Sequence, residues 1–126
     1  MYIDDNTRLL HMLDAAREAI ELSSGKTRGD LDSDRMFSLA MVRLVEILCE
    51  APYQVSQTKR HELTHIDFDN IIGMRHRLVH GYHNIDDDIL WETIQNDLPE
   101  LVEQLEAVIS YDYDNNKQPP VVKDEW

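Results

Sequence analysis

Hydrophobic residues recur at helical spacing along most of the chain, and nowhere do they alternate as a half-buried strand requires. Leu9, Leu13, Ala16 and Ile20 form one stripe, with Arg8, Asp14, Arg17, Glu18 and Glu21 elsewhere on the wheel. This predicts a first helix from about Asp5 to Ser23, followed by a polar loop from Gly25 to Asp30 that contains two glycines. A second helix is expected to start near Asp32 to Asp34, where short side chains can cap free N–H groups. Its stripe is Phe37, Ala40, Leu44, Ile47 and Ala51, widened by Met41, Val45 and Leu48, and Pro52 falls near its end. From Gln54 to His65 the chain is polar and shows no steady period, so a loop with at most one short helical turn is expected. A third helix begins near Asp67 or Asp69 and carries Phe68, Ile71, Ile72 and Met74. Gly81 suits its end, because glycine tolerates the left-handed turn that stops many helices. Asn84 or Asp86 can cap a fourth helix, with Ile89 or Leu90, Ile94, Leu98, Leu101, Leu105, Val108 and Ile109 facing inward. Pro99 interrupts that pattern. It lacks an N–H and clashes one turn back, so a kink or a break is expected there.

Four helices with short connections predict an all-α, antiparallel four-helix bundle over residues 1–110, with a polar, flexible tail over 111–126. The full length of 126 residues fits a single domain. Domains of this size are modestly stabilised, and the width of the second stripe (Met41, Val45 and Leu48 beside the main row) suggests apolar surface for a second copy. No apolar run approaches the ~20 residues that span a bilayer, and the N-terminus MYIDDNTR does not read as a signal peptide. The single cysteine, Cys49, has apolar neighbours and no partner for an internal disulfide, which fits a reduced, cytoplasmic protein.

The formal net charge of −13 argues at first against nucleic acid, since phosphate binding draws on Lys and Arg. The charge is uneven, however. Between Lys59 and His83, Lys59, Arg60, Arg75 and Arg77 outnumber Glu62, Asp67 and Asp69, giving +1 there and −14 elsewhere. Five of the six histidines also lie in this segment, which is where an anion site is expected. Within it, Arg75, His80 and Tyr82 cluster near the predicted helix end. Arginine offers a planar permanent cation for phosphoryl oxygens, histidine moves protons near neutral pH, and a tyrosine hydroxyl can hydrogen-bond or be modified. Equally, a histidine there can simply favour the helix dipole. On an ideal helix Arg75 and His80 would stand about 140° apart, so a shared site requires the helix to end near His80 or Gly81.

A second motif, HELTH from His61 to His65, fits the His-Glu-x-x-His pattern of zinc proteases. The start of a new helix at Asp67–Asp69 and the absence of a third histidine at the expected spacing weigh against that chemistry.

The string IIGMRHRLVHGY, followed by a short acidic loop and WETIQNDLPEL, resembles the HepT family of HEPN proteins, toxins of prokaryotic toxin–antitoxin pairs. The family signature is Arg, four residues, His, one residue, Tyr, matched by Arg75, His80 and Tyr82. DNTRLLHMLDAAREAI resembles the opening helix. MVRLVEILCEA resembles the second, with Glu46 and Glu50 at its acidic positions and Cys49 in place of the usual glycine. His76 stands where many members have Asn, and Asp67 where many have Pro.

The resemblance implies the toxin of a type VII system, a metal-independent endoribonuclease without cofactor. It also implies a homodimer or higher homo-oligomer, since one signature histidine per chain must both remove and deliver a proton. Arg75 and His80 would be catalytic, with Arg77, His76, His83, Glu46 and Glu50 supporting the site or binding RNA. An MntA-like nucleotidyltransferase antitoxin would AMPylate Tyr82. The alternative is a non-catalytic HEPN subunit that binds substrate for a nucleotidyltransferase.

Overall fold

The computed structural model describes residues 4–79 and 84–116, with side chains as far as Ile109. All regular structure among the described residues is helical: α1 (Asp5–Ser23), α2 (Asp30–Ser33), α3 (Arg35–Glu50), α4 (Gln57–Glu62), α5 (Phe68–Leu78), α6 (Asp87–Glu92) and α7 (Leu98–Asn116). A 3-10 turn, Ala51–Gln54, extends α3, and a π-helical stretch, Thr93–Asp97, joins α6 to α7. α1 packs between α3 and α7, and α5 lies on the outer side of α3. The result is the expected antiparallel helical bundle of the HEPN type. Among the described residues no helix is long and apolar enough to cross a membrane.

The starts of α1, α3, α5 and α6 follow from aspartate caps. Asp4 accepts from Thr7 N–H at 2.8 Å, Asp34 from Phe37 N–H at 3.1 Å, Asp67 from Asn70 N–H at 3.0 Å and Asp86 from Ile89 N–H at 3.1 Å. Each fills a donor that the first helical turn cannot satisfy internally. The Asp34 carboxyl is held below its ordinary range, chiefly by the Phe37 N–H and further by Lys26.

The last helix shows what Pro99 does. Its missing N–H and its ring disturb the turn before it, and the Leu98 N–H reaches back five residues to the Thr93 carbonyl instead of four. The expected kink is therefore a π-helical turn within one arm running from Asp87 to Asn116. Leu90, Ile94, Leu98, Leu101, Leu105 and Val108 all face the core, as their spacing predicts. α7 continues six residues into the stretch read as a tail, and residues 117–126 lie outside the described ones.

Two expectations are corrected here. Met41, Val45 and Leu48 are not spare apolar surface. They are 0%, 4% and 1% exposed, and together with Phe37 and Leu44 they form the buried face of α3. With α1 on one side and α5 on the other, a wide stripe is filled within the chain. Among the described residues the exposed large hydrophobics are instead Leu22, Met36, Leu39 and Tyr53. Second, α5 stops at Leu78 rather than at His80 or Gly81. Val79 turns extended and forms an isolated antiparallel bridge with Ile85, while the Asp86 N–H donates to the Leu78 carbonyl at 2.8 Å. A β-branched residue fits that extended backbone well.

Candidate functional site

α5 buries Phe68, Ile71, Met74 and Leu78, which leaves Arg75, His76 and Arg77 exposed in its last turn. Three potential cations at this end complement the negative pole of the helix dipole. They do not share a face. Arg75 stands toward α3, where its Nη1 lies 3.5 Å from Oε1 of Glu50. Arg77, roughly 200° around the axis, lies back along α5. Its Nη2 donates to Oδ1 of Asn70 at 3.3 Å, and its Nη1 sits 3.3 Å from where a Cβ on Gly73 would stand. Gly73 thus leaves room for Arg77 to lie flat against the helix. His76 is exposed between them.

The acidic residues expected from α3 divide in the same way. Glu50 pairs with Arg75, whereas the Glu46 carboxylate is 3.7 Å from Arg43 one turn earlier on its own helix. Glu46 still lines, with Arg75, Cys49, Val79 and Ile85, a small apolar recess of about 20 Å³ beside the bridge that ends α5. Cys49 is buried at its base, and burial pushes its thiol up to about 12 despite the nearby Arg75. It is no nucleophile at physiological pH, since the reactive form is the thiolate.

The structure therefore brings Arg75, Glu50 and Glu46 to one edge between α3 and α5, and places Arg77 elsewhere. His80, Tyr82 and His83 lie outside the described residues. Their flanks are described: Val79 and Ile85 are paired, and both line the recess beside Arg75. α5 ends at Leu78 and Val79 is extended, so the angle reckoned for a continuous helix is not the one to apply.

HELTH has no zinc-protease geometry. α4 ends at Glu62, and Leu63 turns out of it, so His61 and His65 do not share a helix face. Leu63 and Ile66 plug into the core, and the two histidines are exposed. Among the described residues no group of three or more His, Cys, Asp or Glu is placed to hold a metal ion. Arg60, counted above as part of the less acidic segment, has a structural role. Its Nη2 donates to the Pro52 carbonyl, and its guanidinium lies 6.0 Å from the centre of the Phe68 ring.

A small helical bundle with an arginine at a helix end, braced by a glutamate from the neighbouring helix, is the class of protein that fold and site define. A family model described as Ribonuclease HepT-like matches residues 12–108, and the chain belongs to that family. A protein of Caldanaerobacter subterraneus subsp. tengcongensis, bearing the name RNase as an inferred assignment, is 32% identical over 101 residues, covering 80% of this chain and 90% of its own length. A protein of Thermococcus cleftensis named "Probable ribonuclease HepT" is 31% identical over 100 residues, 76% of this chain and 91% of that one. A Methanocaldococcus jannaschii protein, again an RNase by inferred name, is 26% identical over 100 residues, 79% of this chain and 92% of its own. No solved structure matches the chain.

Proposed function

We propose that this protein is the ribonuclease toxin of a type VII toxin–antitoxin system, cleaving RNA without a metal through Arg75 and His80. The observation that carries the reading is the exposed Arg75 guanidinium, held by Glu50 beside the point where the signature segment leaves α5. In the proposed reaction an imidazole takes the proton of a ribose 2′-OH, and that oxygen attacks the adjacent phosphorus. The P–O5′ bond breaks, and a second imidazole returns a proton to the leaving 5′ oxygen. The products are a 2′,3′-cyclic phosphate and a 5′-OH. Arg75 stabilises the charge that grows on the phosphoryl oxygens.

Each chain supplies one signature histidine, so the proposed unit is a homodimer that brings two His80 side chains to one cleft. Support for a docking face lies along α3. Met36, Leu39, Arg43, Glu46 and Glu50 fall on one flank at helical spacing, and Met36 and Leu39 are 82% and 54% exposed. That flank runs directly to the Arg75 edge.

Regulation is proposed to act on Tyr82. An MntA-like nucleotidyltransferase would transfer AMP from ATP to its hydroxyl, releasing pyrophosphate. The added phosphate would pair with Arg75 and repel RNA. His76, Arg77 and His83 are assigned supporting contacts to RNA.

The net charge of −13 favours a second reading, a non-catalytic HEPN subunit that binds substrate for a nucleotidyltransferase. One assay separates the two. Purified parent and His80→Ala protein are incubated with structured and single-stranded RNA. Cleavage by the parent and none by the variant supports the ribonuclease; equal inactivity of both supports the binding subunit.

A further inference from the structure

Glu50 has two neighbourhoods. One side meets Arg75; the other lines an open cavity of about 210 Å³ between α1 and the end of α3. The remaining walls are Arg8 and His11 from α1, Ile47 and Ala51 as an apolar floor, and Gln54 at the end of the 3-10 turn. Arg8 and His11 are three residues apart and share a face of α1. The Arg8 Nε is buried and has no hydrogen-bond acceptor. A buried N–H of this kind is costly to leave unmet, and the half-buried Arg8 side chain also lines the cavity, where an incoming anion can meet it.

We propose that this cavity is a nucleotide subsite, taking the RNA residue next to the one cleaved at Arg75. The proposal rests on the ribonuclease reading above, and it assigns residues that the signature does not contain. A phosphodiester would sit against the Arg8 guanidinium and the His11 imidazole, a pairing of permanent and titratable donors suited to phosphate. The base would lie over Ile47 and Ala51, where Gln54 presents both a donor and an acceptor to its edge. Glu50 forms the wall between this subsite and Arg75, and its charge is already engaged by Arg75, which limits repulsion of a strand passing both. An open cavity suits such a strand better than an enclosed small molecule. The subsite also answers the acidity of the chain. Arg8, His11 and Arg75 bring two arginines and an imidazole to one edge of a protein that is otherwise strongly negative.

The test is fluorescence anisotropy with a labelled single-stranded oligoribonucleotide, measured over a range of salt, alongside a cleavage assay of the same RNA. Arg8→Gln is expected to weaken binding about tenfold and to make the salt dependence shallower by about one phosphate contact. Arg8→Lys, which keeps the charge, is expected to restore the salt dependence. His11→Gln is an independent variant should Arg8→Gln fold poorly, and circular dichroism melts report folding for each. If folded Arg8→Gln and His11→Gln bind with the parent's affinity and salt dependence, the subsite is overturned while any cleavage by the parent leaves the ribonuclease reading standing. If the parent binds through Arg8 yet cleaves nothing, the cavity stands as a nucleotide-binding site, without a cleaved neighbour, and the ribonuclease reading falls. A parent that neither binds nor cleaves overturns both.

Discussion

Replacing Glu50 by Gln asks whether Arg75 is merely present or is positioned. At the observed 3.5 Å, opposite unit charges attract by about 1.2 kcal/mol in bulk water. The Arg75 and Glu50 side chains are 49% and 52% exposed, however, and exposed pairs of this kind contribute only about 0.2 to 1 kcal/mol. The expected loss of stability is therefore small, a fall in melting temperature of about 2 °C, and less in high salt. The expected catalytic effect is larger and divided. Removing a negative charge beside the phosphate path should lower KM for RNA up to about threefold at low salt. A guanidinium without its brace is misplaced for part of the time, so kcat should fall about tenfold. Steady-state cleavage of one RNA at two salt concentrations, together with a thermal melt, measures all three quantities. A kcat within twofold of the parent would show that Glu50 does not position Arg75. A melting temperature lower by 10 °C or more would show that the pair is structural rather than catalytic.

Chelation should leave RNA cleavage unchanged; a loss in EDTA that zinc restores would refute the metal-free chemistry and return attention to His61 and His65. Cys49 should resist thiol reagents at pH 8 until the protein unfolds, and Cys49→Ala should retain cleavage; rapid labelling of the folded protein would contradict its burial. The thiol's ordinary value of 9.0 applies once unfolded, against about 12 when folded, so its contribution to stability is complete below about pH 9 and declines as the pH rises toward 12. Co-expression with a nucleotidyltransferase of the MntA type should add AMP mass to the peptide containing Tyr82 and not to Tyr111 or Tyr113; neutralisation that survives Tyr82→Phe unchanged would mean that the antitoxin acts by binding alone.

The fold was legible where local rules decide it. The span of α1, the caps at Asp34 and Asp67, and the inner face of the last helix follow from spacing and short acidic side chains, which depend only on near neighbours. Pro99 announced a disturbance, and the structure supplies its form, a π-helical turn. The end of α5 was not legible, because Val79 leaves the helix to pair with Ile85, a partner that the local pattern does not reveal. Nor could periodicity say which flank of the broad α3 stripe would be covered. That depends on α5 packing beside α3, and it moved Met41, Val45 and Leu48 into the core while exposing Met36 and Leu39. At the site, the signature marked Arg75 directly. Its partner among the two α3 glutamates, and the cavity at Arg8 and His11, depend on how three separate segments meet. A helical wheel marks Arg8 only as polar.

The central claim is that the chain cleaves RNA by transesterification with Arg75 and His80. Its most direct test is the chemistry of the ends produced when purified parent and Arg75→Ala protein act on a defined RNA in the presence of EDTA. The account predicts 2′,3′-cyclic phosphate and 5′-OH ends from the parent, and a loss of at least about 100-fold in rate for Arg75→Ala with its helical spectrum intact. Ends carrying a 5′-phosphate, or an Arg75→Ala protein as active as the parent, would contradict it.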